Sequence, residues 1–209
     1  MMILAIETST PQASLCLAEG DNVLYSTSWT AERNHDAFLF PALQNAIDFL
    51  GDHKLDWILV GSGPGSYGGV RVALAAAVGV STVTGARTVA LCSWEPLAQN
   101  GACIVSDARR GGWTLRRPDG HISVISPEEL HQLAQNADSP LYTIESEERI
   151  KQEGISITAC GLIPQATGLV EIWNALTASE QENRAQLPVE PIYVRPPHIT
   201  EAKRKPWEI

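Results

Sequence analysis

The sequence predicts an α/β fold, and three observations indicate it. Residues 3–28 contain three short apolar stretches separated by turn-forming sequences, which is typical of a strand meander. Residues 57–84 contain an apolar strand, then a glycine-rich loop, then an alanine-rich helix. Further strands alternate with helices after that, as in α/β proteins. With 209 residues and 44% hydrophobic content, the chain is long enough for one sizeable core or two small lobes.

The predicted elements of the first hundred residues follow from apolar spacing. Between turn residues we expect five strands, at 3–7, 13–18, 23–28, 57–60 and 88–92. A helix follows Asn34 and ends before Gly51; its apolar side chains recur at helical spacing, and Pro41 is tolerated only near a first turn. Two more helices are predicted at 71–84, with Ala73, Ala76, Ala77 and Val80 on one face, and at 94–99.

The second half of the chain shows weaker signals, and it contains no internal sequence repeat. After a strand at 103–106, a hairpin is predicted over 112–125. A helix is expected to begin at Pro127, because Ser126 can cap it and Glu129 completes a capping box. A strand at 155–159, a helix at 169–178 and a mobile last dozen residues follow. We therefore expect an N-terminal lobe over 1–100 and a shorter, divergent C-terminal lobe with a tail over 101–209.

Charge and composition limit the partners of the protein. The formal net charge of −9 disfavours binding to nucleic acid by charge alone, so we expect any RNA contact to be made through a partner. The N-terminus lacks a basic region and no apolar run reaches about 18 residues, which predicts a soluble, cytoplasmic protein without membrane contact. Four widely spaced cysteines form no Cys-x-x-Cys pair and are expected to be buried free thiols.

The glycine loop is the most suggestive local motif. Residues 63–68 match G-x-G-x-x-G after a strand and before a helix, a context that favours an anion. A phosphate-loop NTPase is excluded because Gly69 and Val70 replace the required Lys and Ser or Thr. A dinucleotide-binding site requires an acidic residue after the next strand, and the sequence has none there. The alternative is that the glycines form a tight turn and allow close helix packing, and both interpretations stay open.

Several segments together resemble the TsaB (YeaZ) family. These are residues 3–10, His35 with the following 39–41, and above all 63–71, with further matches at 107–109 and 191–195. The resemblance implies an actin-like, sugar-kinase-like (ASKHA) fold of two small lobes, the second reduced. It also implies a non-catalytic scaffold that works with the related protein TsaD and the ATPase TsaE. That system makes N6-threonylcarbamoyladenosine at position 37 of ANN-decoding tRNAs, and this chain would touch tRNA only indirectly.

The same resemblance implies a weak or vestigial nucleotide site. Catalytic relatives approach phosphate and metal at the turn that corresponds here to residues 8–10. Together with the glycine loop, this makes Thr8, Ser9, Gly63, Gly65 and Ser66 the candidate nucleotide-binding residues. The chain offers no acid pair for magnesium and no basic phosphate clamp, so we expect no firmly bound cofactor. ATP or ADP would bind at most at an interface that the partner completes. Catalytic relatives bind metal through two histidines four residues apart, whereas His35 is followed by Leu39, so no metal is predicted; a lone histidine there is more typical of a cap or a solvated side chain.

Helices of the first lobe are the predicted contact with TsaD. The resemblance and the apolar spacing together suggest the candidates His35, Phe38, Leu39, Leu43, Ala73, Ala76 and Val80. The alternative is that these side chains only face the protein's own sheet. The same surface could pair with a second copy when TsaD is absent, which would give a homodimer.

Two alternative functions remain, a peptidase and an independent nucleotide-binding protein. Ser66, His35 and Asp107 could be imagined as nucleophile, base and orienting acid of a glycoprotease-like peptidase. Against this, Ser66 lies in no Gly-x-Ser-x-Gly turn, and no His-Glu-x-x-His helix is present. The other alternative is an independent nucleotide-binding protein.

Overall fold

The computed structural model describes residues 1–31, 34–135 and 139–195. These residues form two β-sheets and the helices that cover them. The strands are β1 Met2–Glu7, β2 Gln12–Glu19, β3 Asn22–Thr30, β4 Trp57–Gly61, β5 Arg87–Leu91, β6 Cys103–Asp107, β7 Trp113–Arg116, β8 Ile122–Ile125 and β9 Leu141–Thr143. The helices are α1 His35–Leu50, α2 Tyr67–Thr84, α3 Pro127–Gln135, α4 Glu147–Glu153, α5 Ala166–Ala175 and α6 Ala178–Ala185.

The first sheet has helices on both faces. Its strand order is β3-β2-β1-β4-β5, with an antiparallel meander on one side of β1 and parallel β4 and β5 on the other. Alternate residues of β1 point to opposite faces, so Leu4 and Ile6 join the core under α1 and α2. Ile3 and Ala5 join a second core under α5, where Trp173 is fully buried. The predicted α/β architecture of this half is confirmed.

The second sheet repeats the topology of the first. Its order is β8-β7-β6-β9, in which β6, β7 and β8 form a meander, a helix follows, and β9 returns parallel to β6. The same order of strands and helices builds β1 to β4 with α1, a repeat that the sequence does not display. The predicted strand at 155–159 is wrong: only Ala159 forms an isolated bridge, with Tyr142, where β5 would have its counterpart. The second sheet is therefore the smaller one.

Several element boundaries differ from the predictions. Helix α2 begins at Tyr67, four residues earlier than expected, because the Ser66 hydroxyl caps it by accepting from the Gly69 amide. Pro41 lies inside α1 and not in its first turn. Residues 94–99 form no α-helix but two 3-10 turns, Glu95–Leu97 and Gln99–Gly101. In the second half, α4 was not predicted, and two helices, α5 and α6, replace the single one expected at 169–178.

Other local predictions are confirmed, among them the hairpin β7–β8 and the start of α3 at Pro127. Ser126 and Glu129 exchange hydrogen bonds as a capping box does, the Glu129 amide donating to Ser126 Oγ and the Ser126 amide to Glu129 Oε2. All four cysteines are free, but only Cys16 and Cys103 are buried as predicted, whereas Cys92 and Cys160 are partly exposed. Burial raises the pKa of the Cys16 thiol to about 12. The tail that was expected to be mobile lies, from residue 196 onward, outside the described residues.

The C-terminal helices return to the first sheet. The chain passes from one sheet to the other near residue 100, where the sequence places the lobe boundary. Helix α5 nevertheless packs on β1, β2 and β4, and α6 packs beside β5. Arg87 pairs with Glu182, and Arg184 with the half-buried Glu95, which ties α6 to the first lobe. Residues 166–185 therefore pack on the first sheet, although they follow the second sheet in the chain.

Helix α2 is the one helix of the described ranges that is long and apolar enough to cross a membrane, judged by length and composition alone. Core helices pass the same test. One face of α2 packs on the first sheet through Ala73, Ala76 and Ala77.

Candidate functional site

A cleft of about 910 Å³ lies between the two sheets. The first lobe contributes Ser9 and Thr10, which follow β1, and the glycine loop. The second lobe contributes the turn after β6 and Glu145. The C-terminal segment 191–195 lines the same cleft. The turns after β1 and after β6 face each other because the two lobes share one topology.

The glycine loop packs directly against the turn that follows β1. The Ser66 amide donates to the Ser9 carbonyl oxygen at 2.6 Å, and Thr8 Oγ1 donates to the Gly69 carbonyl oxygen at 2.8 Å. A Cβ atom on Gly65 would overlap the Ser9 backbone, and one on Gly69 would overlap the Thr8 carbonyl oxygen. Glycine is required here because two backbones touch. This contact favours the packing interpretation of the motif, and nucleotide binding at these residues stays a prediction.

The start of the glycine loop is held from two other sides. The Gly63 amide donates to Ser93 Oγ at 3.0 Å, and the Ser93 amide donates back to the Gly63 carbonyl oxygen. The Ile192 amide donates to the Ser62 carbonyl oxygen at 2.8 Å, which attaches the C-terminal segment to the loop. The Gly63 and Ser66 amides are therefore engaged with the protein itself.

Glu7, at the end of β1, is a fully buried carboxyl group. Its Oε1 accepts from the Ser9 amide at 2.7 Å, and its Oε2 has no hydrogen-bond partner among the described residues. Gly61 leaves the space that this carboxyl group occupies, since a Cβ there would overlap Oε2. Burial raises the pKa of Glu7 above its usual 4.5, and hydrogen bonds from Ser9 offset part of that rise.

Glu7→Gln is expected to remove a pH dependence of stability. Between 4.5 and the raised pKa, the folded protein binds more protons than the unfolded chain, so the free energy of unfolding falls as pH rises. Each pH unit in that window contributes about 1.4 kcal/mol. Gln retains the acceptor for the Ser9 amide and cannot ionise, so the variant should be the more stable protein at neutral pH. Denaturant unfolding from pH 4 upward measures this.

Glu19→Gln is the matched control. Glu19 is an exposed residue at the end of β2, the strand that pairs with β1. It should leave the pH dependence unchanged. If the free energy of unfolding changes equally with pH in the wild type and in Glu7→Gln, the pH dependence does not come from Glu7.

His35, the first residue of α1, is buried against Gly69 rather than capping the helix or facing solvent, so the expectation of a cap or solvated side chain is wrong. A Cβ atom on Gly69 would lie 3.1 Å from His35 Nε2. The position of the His35 ring therefore also requires glycine at residue 69. Burial lowers the pKa of His35, which favours the neutral ring. Across the described ranges, no group of three or more His, Cys, Asp or Glu side chains could hold a metal ion.

The second-lobe wall of the cleft is built on charged hydrogen bonds. Glu145 Oε1 accepts from Ser106 Oγ at 2.6 Å and from the Asp107 amide at 3.0 Å. Asp107 pairs with Arg149 at 3.1 Å and accepts from the Arg109 amide. Glu145, Trp94 and Tyr193 were not predicted as cleft residues, because each reaches the cleft through tertiary packing. Glu145 and Trp94 belong to no local motif, and the family-like segment 191–195 that contains Tyr193 does not indicate where it packs.

The imagined peptidase triad is not connected by hydrogen bonds within the described residues. Ser66 Oγ caps α2, His35 Nδ1 has no hydrogen-bond partner there, and the Asp107 carboxylate contacts Arg149 and the Arg109 amide. The three groups therefore have separate structural roles.

Most of the candidate interface residues pack inside the protein. Leu39, Leu43, Ala73 and Ala76 belong to the first core, and His35 is buried as well. This placement agrees with the alternative that such residues face the protein's own sheet. Of the seven candidates, only two reach the surface: Phe38 is 47% exposed, and Val80 is partly buried.

Comparison with known proteins identifies the family. Residues 29–146, more than half of the chain, match the family model described as TsaD: tRNA N6-adenosine threonylcarbamoyltransferase. A curated relative, the tRNA threonylcarbamoyladenosine biosynthesis protein TsaB of Bacillus subtilis (strain 168), is 32% identical over 119 residues. The chain belongs to the TsaB/YeaZ family. Its alignment with the Bacillus subtilis TsaB covers 53% of this chain and spans about half, 52%, of that relative.

Solved structures show the same fold for this TsaB/YeaZ-family chain. YeaZ from Pseudomonas aeruginosa is 21% identical with a TM-score of 0.69, over 92% of this chain and 99% of that one. The ethanolamine utilization protein EutJ from Carboxydothermus hydrogenoformans is 13% identical with a TM-score of 0.51, over 81% and 89% of the two chains. The predicted actin-like, sugar-kinase-like fold is confirmed.

Proposed function

We propose that this TsaB/YeaZ-family chain acts in the synthesis of N6-threonylcarbamoyladenosine on tRNA, as a non-catalytic partner of a TsaD-type protein. The functions of the matching family and of the Bacillus subtilis relative support the pathway. The resemblance described above supports the partner and, in the same complex, a TsaE-type ATPase.

The contact between the glycine loop and the turn after β1 carries the non-catalytic part of this proposal. Thr8 Oγ1 donates to the Gly69 carbonyl oxygen, and the Ser9 amide donates to Glu7. The Ser66 amide donates to the Ser9 carbonyl oxygen. These are donors that a bound phosphate would need. Since the protein's own groups take them, the reacting centre is supplied by the partner, and a nucleotide would bind where the partner completes the site.

The outer surface of α1 and α2 is the proposed docking surface for the partner. Both helices bury one face on the first sheet, yet they also expose large apolar side chains: Phe38, Phe40 and Phe49 on α1, and Val78 and Val83 on α2. Exposed apolar groups concentrated on one helix pair are typical of a protein interface. We propose this surface in place of the buried candidates, and it would also form the homodimer of the isolated chain.

Depletion of this protein tests the pathway. Nucleosides from bulk tRNA are quantified by mass spectrometry, with an unrelated modified nucleoside as the control. We expect N6-threonylcarbamoyladenosine alone to fall, and re-expression of the wild-type chain to restore it. An unchanged level after verified depletion would overturn the proposal.

A further inference from the structure

Two exposed tyrosines stack at the mouth of the cleft. Tyr67, the first residue of α2, and Tyr193, in the C-terminal segment, have ring centroids 5.4 Å apart and planes within 27° of each other. They are 53% and 48% exposed. The Arg71 guanidinium lies 5.0 Å from the Tyr67 ring centroid and donates to the Tyr67 hydroxyl. A small pocket of about 460 Å³ adjoins the pair. Exposed stacked rings of this kind are platforms on which a nucleobase stacks.

Four arginines on the segments that meet here have no carboxylate partner in the described part of the chain. Arg71 contacts the Tyr67 ring, Arg109 and Arg195 line the cleft, and Arg110 follows Arg109 in the same exposed turn. The described salt bridges instead engage Arg87 and Arg184 on the first lobe, and Arg149 with Asp107 in the second-lobe wall of the cleft. Tyr67, Arg71, Arg109, Arg110, Tyr193 and Arg195 are called the cleft rim below.

The local backbone presents the arginines of the turn after β6 at the surface. Arg109 and Arg110 are exposed and have positive φ values of 59° and 51°, which non-glycine residues seldom adopt. Arg195 Nη1 donates to the Arg109 carbonyl oxygen at 3.1 Å, so the C-terminal segment is joined to this turn. Because Ile192 is joined to the glycine loop, the same segment brings Tyr193 between the two lobes.

Acidic groups nearby do not neutralise the cleft rim. Asp107 is paired with Arg149, and Glu145 accepts hydrogen bonds from Ser106 and the Asp107 amide. Glu190 lines the small pocket without forming a salt bridge to Arg71 among the described residues. The four guanidinium groups of the cleft rim therefore outnumber Glu145 and Glu190, the two nearby carboxylates without a salt bridge among the described residues, although the whole chain carries a net charge of −9.

We propose that the cleft rim binds a single-stranded segment of the tRNA directly. A base stacks on Tyr193, and the guanidinium groups of Arg71, Arg109 and Arg110 contact flanking phosphates. The identification of the bound RNA as tRNA rests on the proposed function. The combination of arginines with a stacked aromatic pair favours RNA over an acidic protein. The arginines can bind phosphates, and the aromatic pair can stack with a base. This differs from the expectation, drawn from net charge, that RNA is contacted only through a partner.

Direct binding is measured by fluorescence anisotropy with the full-length chain. The probe is a labelled 12-nucleotide single-stranded RNA, compared with the same RNA as a duplex, at about 50 mM salt and above. We expect saturable binding that favours the single strand. Replacing Arg71, Arg109 and Arg110 together by Gln should reduce the slope of log affinity against log salt by about 2, since each phosphate contact on a single strand contributes about 0.7.

Two controls separate the cleft rim from general charge and from folding. Replacing Lys54, Arg117 and Lys151 by Gln removes the same charge from exposed positions outside the rim and should leave the slope unchanged. Tyr193→Ala should weaken binding about 5- to 100-fold, whereas Tyr193→Phe retains the ring and should bind as the wild type does. Thermal unfolding of each variant checks that the fold is intact.

The outcomes distinguish this inference from the proposed function. The absence of saturable binding, equal binding to the duplex, or equal salt slopes for the two triple variants would overturn the RNA site. So would loss of binding to the TsaD-type protein in the rim variant with RNA binding unchanged. Failure of the wild-type chain to restore N6-threonylcarbamoyladenosine in depleted cells overturns the proposed function instead, whatever the RNA titration gives.

Discussion

Gly69→Ala is expected to lower the free energy of unfolding by about 3 kcal/mol. The added Cβ would overlap the Thr8 carbonyl oxygen and press on the His35 ring. A backbone oxygen cannot move aside as a flexible side chain can, so α2 or the turn after β1 must shift. Denaturant unfolding measures the loss.

Gly68→Ala provides a matched control for that substitution. Gly68 is the neighbouring residue in the same helical turn, and a Cβ there meets no atom within 4 Å. Alanine has the higher helix propensity, so the stability should change by less than about 1 kcal/mol, in the stabilising direction. Similar losses for the two variants would contradict the close approach between the glycine loop and the turn after β1.

Val78→Asp is expected to raise the dissociation constant for the TsaD-type partner by about 100-fold or more. Val78 is 49% exposed on the outer surface of α2, so the fold tolerates the charge. In a docked complex, the carboxylate would be buried among apolar side chains without a partner, which is strongly unfavourable. The same change should prevent the isolated chain from forming a homodimer. Calorimetric titration and size-exclusion chromatography measure the two effects.

Val23→Asp introduces the same group at a comparably exposed position. Val23 lies on the edge strand β3 and is 42% exposed. It should leave both partner binding and N6-threonylcarbamoyladenosine levels unchanged. If the two variants bind the partner equally well, α2 is not the docking surface.

The glycine loop marks the limit of motif-based prediction. Its spacing, its preceding strand and its following helix are all visible in the sequence, and they leave phosphate binding and helix packing as equal alternatives. The deciding contacts join Ser66 to Ser9 and Thr8 to Gly69, residues more than fifty positions apart. No local pattern encodes where a carbonyl oxygen from another strand will stand.

The proposed docking surface shows a second limit of prediction from sequence. Apolar spacing correctly predicted that α1 and α2 exist, although α2 begins four residues earlier than expected. Periodicity alone does not say which of two apolar sides of a helix packs on the protein's own sheet. Leu39 and Ala73 are fully buried, while Phe38 and Val78 remain about half exposed. Similarly, net charge is a sum over the chain and does not reveal that Arg71 and Arg109 gather at one cleft.

By itself, the sequence determined the α/β class, the strand meander, the positions of α1 to α3 and, through residues 3–10 and 63–71, the family. These properties depend on short-range periodicity, turn chemistry and contiguous motifs. Only the tertiary structure decided that the second sheet repeats the first, that α5 and α6 return to the first sheet, and that the cleft rim forms. Each of these depends on contacts between segments distant in the chain, whose pairing is selected by burial of the whole core.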